Sequence, residues 1–124
     1  MAAARKIVVE RLIDEVLNAG QLETIDEIYV PELAGPARRW IEPFRVGFPD
    51  VHMKIVELVA EGDRVVARLR CSGTNLGPWR GREPTGRRMH DVDEVYFFTV
   101  RDGRIAEAWG LEDTAKRLRQ LGMT

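Results

Sequence analysis

A chain of 124 residues and 14.1 kDa has the size of one domain and leaves no room for separate cofactor and substrate domains. Nineteen Lys and Arg against twenty Asp and Glu give a net charge of -1, so there is no global basic excess of the kind that phosphate-backbone binding needs, and nucleic acid is not an expected partner. The lone Cys71 excludes an intramolecular disulfide and points to a reducing compartment. The apolar run Ile7-Val8-Val9 is too short for a secretory core and no stretch is long enough to span a membrane, so a cytoplasmic location without membrane contact is the expectation.

From Arg5 to Ala19, the residues Val9, Leu12, Ile13, Val16 and Leu17 recur at intervals of three and four, which predicts a helix with one apolar stripe, stopped at Gly20. Leu22, Ile25, Ile28 and Tyr29 continue the pattern on a second, short helix. Pro31 is expected to interrupt it. A third segment opens at Gly35-Pro36 and carries Trp40, Ile41, Phe44 and Phe48 at helical spacing, with Pro43 expected to kink or split it because proline removes a ladder bond.

After Pro49-Asp50 the period changes to two. Residues 51–60 and 64–74 read as strands joined by a three-residue turn, Glu61-Gly62-Asp63. Three glycines and two prolines make 75–86 an irregular loop, followed by a long strand over 88–101, the turn Asp102-Gly103, and a returning strand over 104–111. Thr114 to Leu121 forms a last helix with Asp113 as N-cap and Gly122 beyond its end. Helices first and an antiparallel, curved sheet afterwards give an α+β fold in a single domain, 1–124, with the helices on one face.

A two-residue turn at Asp102-Gly103, continued without irregularity, places Glu94, Tyr96, Phe98, Glu107, Trp109, Leu111 and Asp113 on one face of the hairpin. That face is the bulkier and is assigned to the interior. A carboxylate there must be paired, wet or raised in pKa, and one raised toward neutrality can shuttle protons. Asp113, Glu107 and Glu94 are therefore the candidate catalytic groups. Each has a structural alternative: Asp113 as the helix cap, Glu107 as a partner of Arg68 or Arg70, and Glu94 as a solvated group at a barrel mouth. Tyr96, Trp109 and Trp40 are either core residues or walls of a ligand site. His52 and His90 lack metal-ligand spacing and read as exposed strand histidines, with His90 retained as a candidate substrate contact; no metal site is expected. Arg80, Arg82, Arg87 and Arg88 form a local basic group that could receive an anion. Cys71 shares strand parity with Val65, Ala67 and Leu69 and reads as core.

The runs Phe48-Pro49-Asp50, Glu61-Gly62-Asp63-Arg64-Val65-Val66-Ala67-Arg68, Gly73-Thr74, Pro84-Thr85-Gly86-Arg87, Asp102-Gly103-Arg104-Ile105-Ala106-Glu107-Ala108-Trp109 and Gln120-Leu121-Gly122 keep their order over about three-quarters of the chain. Together they resemble the SnoaL-like polyketide cyclase and ester cyclase family of the nuclear-transport-factor-two-like superfamily. The resemblance implies a cone-shaped curved antiparallel sheet with N-terminal helices packed on its concave face and a short C-terminal helix. It also implies a homodimer through the outer sheet face, for which Val95, Phe97, Ala106 and Ala108 would serve. The implied activity is cofactor-free acid/base chemistry, an aldol-type ring closure or isomerisation, on a small hydrophobic carbonyl-bearing ligand. The family's strand histidine and final-strand aspartate correspond here to Tyr96 and Gly110, so the resemblance carries the fold further than the activity. A non-catalytic dimeric binding module, and a limonene-type epoxide hydrolase or isomerase using the same pocket, are the alternatives; an arginine reaching the acids would favour the last.

Overall fold

The computed structural model describes residues 2–123. Helix α1 (Ala2–Arg11) runs without a break into a wider π-helical stretch, Leu12–Asn18, closed by Ala19 N–H donating to the Asp14 carbonyl at 3.1 Å. The widening turns Leu12, Ile13, Val16 and Leu17 all inward, and Gly20 ends the helix at φ +73°. A 3-10 turn at Leu22–Thr24 leads into the single turn α2 (Ile25–Ile28), and α3 spans Pro31–Gly47.

The second helix ends before Pro31, as expected. The third opens at Pro31 and not at Gly35-Pro36, because a missing N–H costs nothing in a first turn, and Pro43 does not split it. Burial of Ala34, Ala37, Ile41 and Phe44 along α3, with Phe48 at its end, outweighs the ladder bonds lost at Pro36 and Pro43.

The sheet is a meander of β1 (His52–Glu61), β2 (Arg64–Thr74), β3 (Arg88–Arg101) and β4 (Arg104–Glu112), in that spatial order and antiparallel throughout. Glu61 pairs directly with Arg64, so the first hairpin turns on two residues, Gly62 and Asp63, where three were expected. Irregularities at Ile55/Glu57, Cys71/Gly73 and Thr99/Val100 interrupt the three ladders, and bulges of this kind bend strands and raise their twist. The α+β class, the open curved sheet, the N-terminal helices and the short C-terminal helix α4 (Thr114–Leu121) agree with the expectation.

The third irregularity decides the site. Asp102 (φ +52°) and Gly103 (φ +77°) form the tight turn, and Arg101↔Arg104 and Val100↔Ile105 pair as expected. The next pair is Thr99↔Glu107, with Ala106 as the extra residue. A one-residue slip moves every later side chain of β4 to the opposite face. Ala108, Gly110 and Glu112 consequently share the concave side with Phe98, Tyr96 and Glu94, while Glu107, Trp109 and Leu111 join Thr99, Phe97 and Val95 on the convex side.

The core fills the space between the helices and the concave face: Val9, Val16, Ile25, Ile28 and Ile41 against Val65, Ala67, Leu69, Cys71, Phe98 and Ile105, all buried. Helix α4 closes one end, with Leu121 and Arg117 buried against β3. No helix among the described residues is long and apolar enough to cross a membrane.

Candidate active site

A cleft between α3 and the concave sheet contains two adjoining chambers. The first, about 250 Å³, is walled by Leu12, Ile13, Leu17 and Ala37 from the helices and by Phe98 and Gly110 from the sheet. The second, about 280 Å³, is lined by Phe44, Met53, Trp79, Arg80, Glu94, Glu112 and Arg117. Trp40 and Tyr96 belong to both and stand where the chambers meet. One half of the cleft is thus hydrocarbon, the composition that binds a small molecule by burial, and the other half carries charge.

The charged half is organised by one arginine. Glu94 and Glu112 are direct cross-strand neighbours, an arrangement of like charges that is unfavourable unless a cation intervenes. Arg117 supplies it from α4, donating through Nη2 to Glu94 Oε2 and through Nη1 to Glu112 Oε1 at 2.6 Å. Its Nε lies 3.3 Å from Met89 Sδ, and its guanidinium sits 5.5 Å from the centre of the Phe44 ring. Tyr96 donates its hydroxyl proton to Glu94 Oε1 at 2.8 Å. Glu94 is 3% exposed, whereas Glu112 keeps about a quarter of its side chain in contact with solvent.

Burial raises the Glu94 carboxyl above its ordinary range, opposed by the Arg117 charge and the Tyr96 hydrogen bond and reinforced by the Glu112 charge. The same burial, with Glu94 beside it, pushes the Tyr96 hydroxyl far up, so it stays protonated and able to donate. Desolvation works against the Arg117 charge, but the two carboxylates outweigh it and hold the guanidinium firmly protonated. Cys71, behind this group, is pushed up to about 12 by burial first and by Glu94 next, which makes its thiol inert at neutral pH.

The mouth of the polar chamber is carried by the loop between β2 and β3. Asn75, fully buried, pins that loop: its amide donates to the Gly77 carbonyl at 2.9 Å and its oxygen accepts from Thr85 N–H at 2.8 Å. Trp79 packs edge-on against Phe48 at 5.2 Å, and Arg80 stacks on Trp79 at 4.4 Å with its Nη2 3.9 Å from Glu112.

Among the catalytic candidates, Glu94 alone has its carboxylate in the buried part of the cleft. Glu107 lies on the convex face because of the Ala106 bulge, exposed, accepting from Thr99 Oγ1 at 2.8 Å and 4.0 Å from Arg101. Its expected partners Arg68 and Arg70 instead flank Asp93, at 3.8 and 3.6 Å. Asp113 is exposed and accepts from Lys116 N–H at 3.0 Å, the N-cap geometry. Of the binding candidates, Tyr96 and Trp40 wall the cleft. Trp109 borders the apolar chamber but is 58% exposed and packs its ring against Phe97 on the convex side, at 5.7 Å. His90 is exposed, away from both chambers, its N–H donating to Gln120 Oε1 at 2.7 Å. Ala108 lines the apolar chamber rather than the convex face.

Arg80, expected within a basic group able to receive an anion, does stand at the polar chamber, whereas Glu112 and Arg117 were missed by sequence reasoning. Arg117 was within reach of it: position 117 is four residues before Leu121, on the apolar stripe of α4, so a charge there had to be paired in the interior. No cluster of His, Cys, Asp or Glu able to hold a metal occurs among the described residues.

An α+β fold whose concave face holds a half-apolar cleft, with a buried carboxylate in the charged half, has the make-up of a small-molecule site. The sequence pattern of the SnoaL-like polyketide cyclases matches residues 7–121, and the chain belongs to that family. It is 30% identical over 109 residues to the aklanonic acid methyl ester cyclase DnrD of Streptomyces peucetius, covering 87% of this chain and 72% of that protein. The corresponding enzyme DauD of Streptomyces sp. (strain C5) is 29% identical over 116 residues, covering 93% and 70%. The structure of TsrD from Streptomyces laurentii superimposes with a TM-score of 0.91 at 28% identity, covering 100% of this chain and 98% of that one. Membership supports cyclase or isomerase chemistry without a cofactor in general terms.

Proposed function

We propose that the protein catalyses an intramolecular aldol-type ring closure on a hydrophobic, carbonyl-bearing substrate, with Glu94 as the general base. The observation that carries this reading is a carboxylate 3% exposed at the wall of the cleft, within hydrogen-bond reach of a hydroxyl that both chambers share. The ring system of the substrate occupies the apolar chamber and its reacting dicarbonyl arm reaches Tyr96 and Glu94. Glu94 removes a proton α to a carbonyl, and the C–H electron pair moves into that carbonyl to form an enolate. The newly protonated carboxyl donates to Tyr96 Oη, which frees the tyrosine proton to turn toward the enolate oxygen. The enolate carbon then attacks the second carbonyl, and Glu94 returns its proton to the resulting alkoxide. Burial makes Glu94 a stronger base, and the Arg117 charge and the Tyr96 hydrogen bond favour its ionised form.

Aklanonic acid methyl ester, the compound in the names of the related cyclases, is the natural first probe. Glu94→Gln should lower kcat by about 100-fold or more, the usual worth of a positioned base, with circular dichroism unchanged. Unaltered turnover in Glu94→Gln would refute the assignment; binding without turnover in the parent protein would support a non-catalytic module instead.

One observation favours a second reading. Arg117 bridges two carboxylates, and such an acid–arginine–acid array can open an epoxide, one acid deprotonating water and the other protonating the ring oxygen. Incorporation of oxygen-18 from labelled water separates the two, because an aldol closure takes none from solvent. The partner we assign to the convex face, where Phe97, Trp109 and Leu111 are 38%, 58% and 60% exposed, is a second copy of the chain.

A further inference from the structure

Gly110 faces Tyr96 directly across β3 and β4. A Cβ built there would lie 2.2 Å from Tyr96 Cδ1 and 2.4 Å from Cε1, distances that no real side chain can occupy. The backbone at Gly110 is not in the left-handed region, so glycine is present for space and not for conformation. Glycine in a strand interior weakens the strand, and its retention in the middle of β4 calls for a reason. The reason visible here is the tyrosine: its ring lies across the bare β4 backbone, and Phe98 stacks nearby at 6.0 Å with planes 23° apart.

We infer that Gly110 is a positioning residue, whose missing side chain lets the Tyr96 ring lie on β4 and so carries its hydroxyl to Glu94. The inference rests on Glu94 being the acid/base group and names the device that aims its partner. Restoring an ordinary contact of 3.4 Å to an alanine at position 110 requires the ring edge to retreat by about 1.2 Å. A shift of that size takes a 2.8 Å hydrogen bond out of range. The same geometry means that this chain cannot place an acid at position 110 while Tyr96 holds its present rotamer, which leaves Glu94 and Glu112 as the carboxylates of the cleft.

The test compares the parent protein with Gly110→Ala, Tyr96→Phe and the double variant. Gly110→Ala should lower kcat on aklanonic acid methyl ester about as far as Tyr96→Phe, on the order of 100-fold, the cost of losing one aimed donor. The double variant should fall no further, since both changes remove one interaction. Glu94 should titrate at higher pH in each, as followed by carbon-13 carboxyl resonances, because the hydrogen bond that favours its charged form is gone. Multiplicative losses, or an unmoved Glu94 titration in Gly110→Ala, would overturn the inference. Should Gly110→Ala fold poorly, the pair Tyr96→Ala and Tyr96→Ala/Gly110→Ala decides. With the ring absent the alanine meets the Val95 carbonyl oxygen at 3.0 Å and should cost clearly less in melting temperature than it does beside Tyr96, and an undiminished loss there would overturn the ring contact. If the parent protein turns over no probe, the function proposed above fails, while the Glu94 titration still decides the role of Gly110.

Discussion

Replacing Arg117 by Met removes the cation between Glu94 and Glu112 while keeping most of the buried volume. Its side chain is 1% exposed, as is that of Glu94, so the attraction lost is an interior one that solvent screens little. Removing one partner of such a pair costs about 3–5 kcal/mol, because the remaining charge is left without compensation. At about 2.1 cal/mol/K of unfolding entropy per residue, a domain of this length loses about 4 °C of melting temperature per kcal/mol, so Arg117→Met should melt roughly 12–20 °C lower at pH 7.5. The loss must also depend on pH. The Glu94 carboxyl is already raised in the folded protein, and without Arg117 it rises further. A carboxyl whose folded pKa exceeds its unfolded one favours the folded state below the unfolded pKa, and that advantage disappears as pH climbs through the folded pKa. The deficit of Arg117→Met relative to the parent should therefore shrink as pH falls from 7.5 toward 4.5, because protonation of Glu94 removes the charge that the cation balanced. Differential scanning calorimetry across that range is the assay. Glu94→Gln/Arg117→Met, which has no stranded charge at position 94, should recover much of the loss at pH 7.5. A penalty under about 4 °C, the same at both pH values, would show that the Glu94–Arg117 contact does not organise the site.

Asp113→Ala should cost about 1 kcal/mol, or about 4 °C in melting temperature, and Asp113→Ser should restore it, since a serine oxygen can accept the Lys116 N–H. Turnover of the probe in Asp113→Ser at the parent rate would leave the capping role as the whole role of this carboxylate; a loss of turnover with stability intact would return it to the chemistry. On the convex face, Trp109→Ser/Leu111→Ser should convert a dimer to a monomer in sedimentation velocity while melting within a few degrees of the parent, because both side chains are largely solvent-exposed in the single chain. A parent protein that sediments as a monomer at micromolar concentration would refute the second-copy assignment.

Most of the secondary structure was legible because it follows from local chemistry. The three-and-four spacing of Val9 to Leu17, the alternation of Val65, Ala67, Leu69 and Cys71, the Asp102-Gly103 turn and the Asp113 cap each identify an element from residues close together in the chain. The start of α3 at Pro31 and its passage through Pro36 and Pro43 were not legible, since the local cost of proline is known but the apolar face that overrides it is assembled from distant residues. The acid/base site was legible in kind but not in membership. Glu94 and Tyr96 were placed inward correctly from the parity of β3, whereas Glu107 and Trp109 were placed inward from a register that the bulge at Ala106 breaks.

Nothing in Ile105-Ala106-Glu107 announces that extra residue, because a bulge answers to the curvature that the whole sheet must adopt around the helices. The order of elements, the α+β class, the family and the presence of acids on the last hairpin follow from the residues in line. Which of those acids face the cleft follows from packing, through the one-residue slip that exchanges Glu107 for Glu112 and Trp109 for Gly110. Packing also brought Arg117 from the C-terminal helix between two carboxylates that would otherwise repel. Strand parity is a local property, but the register that converts it into inside and outside is set by the packing of the complete domain.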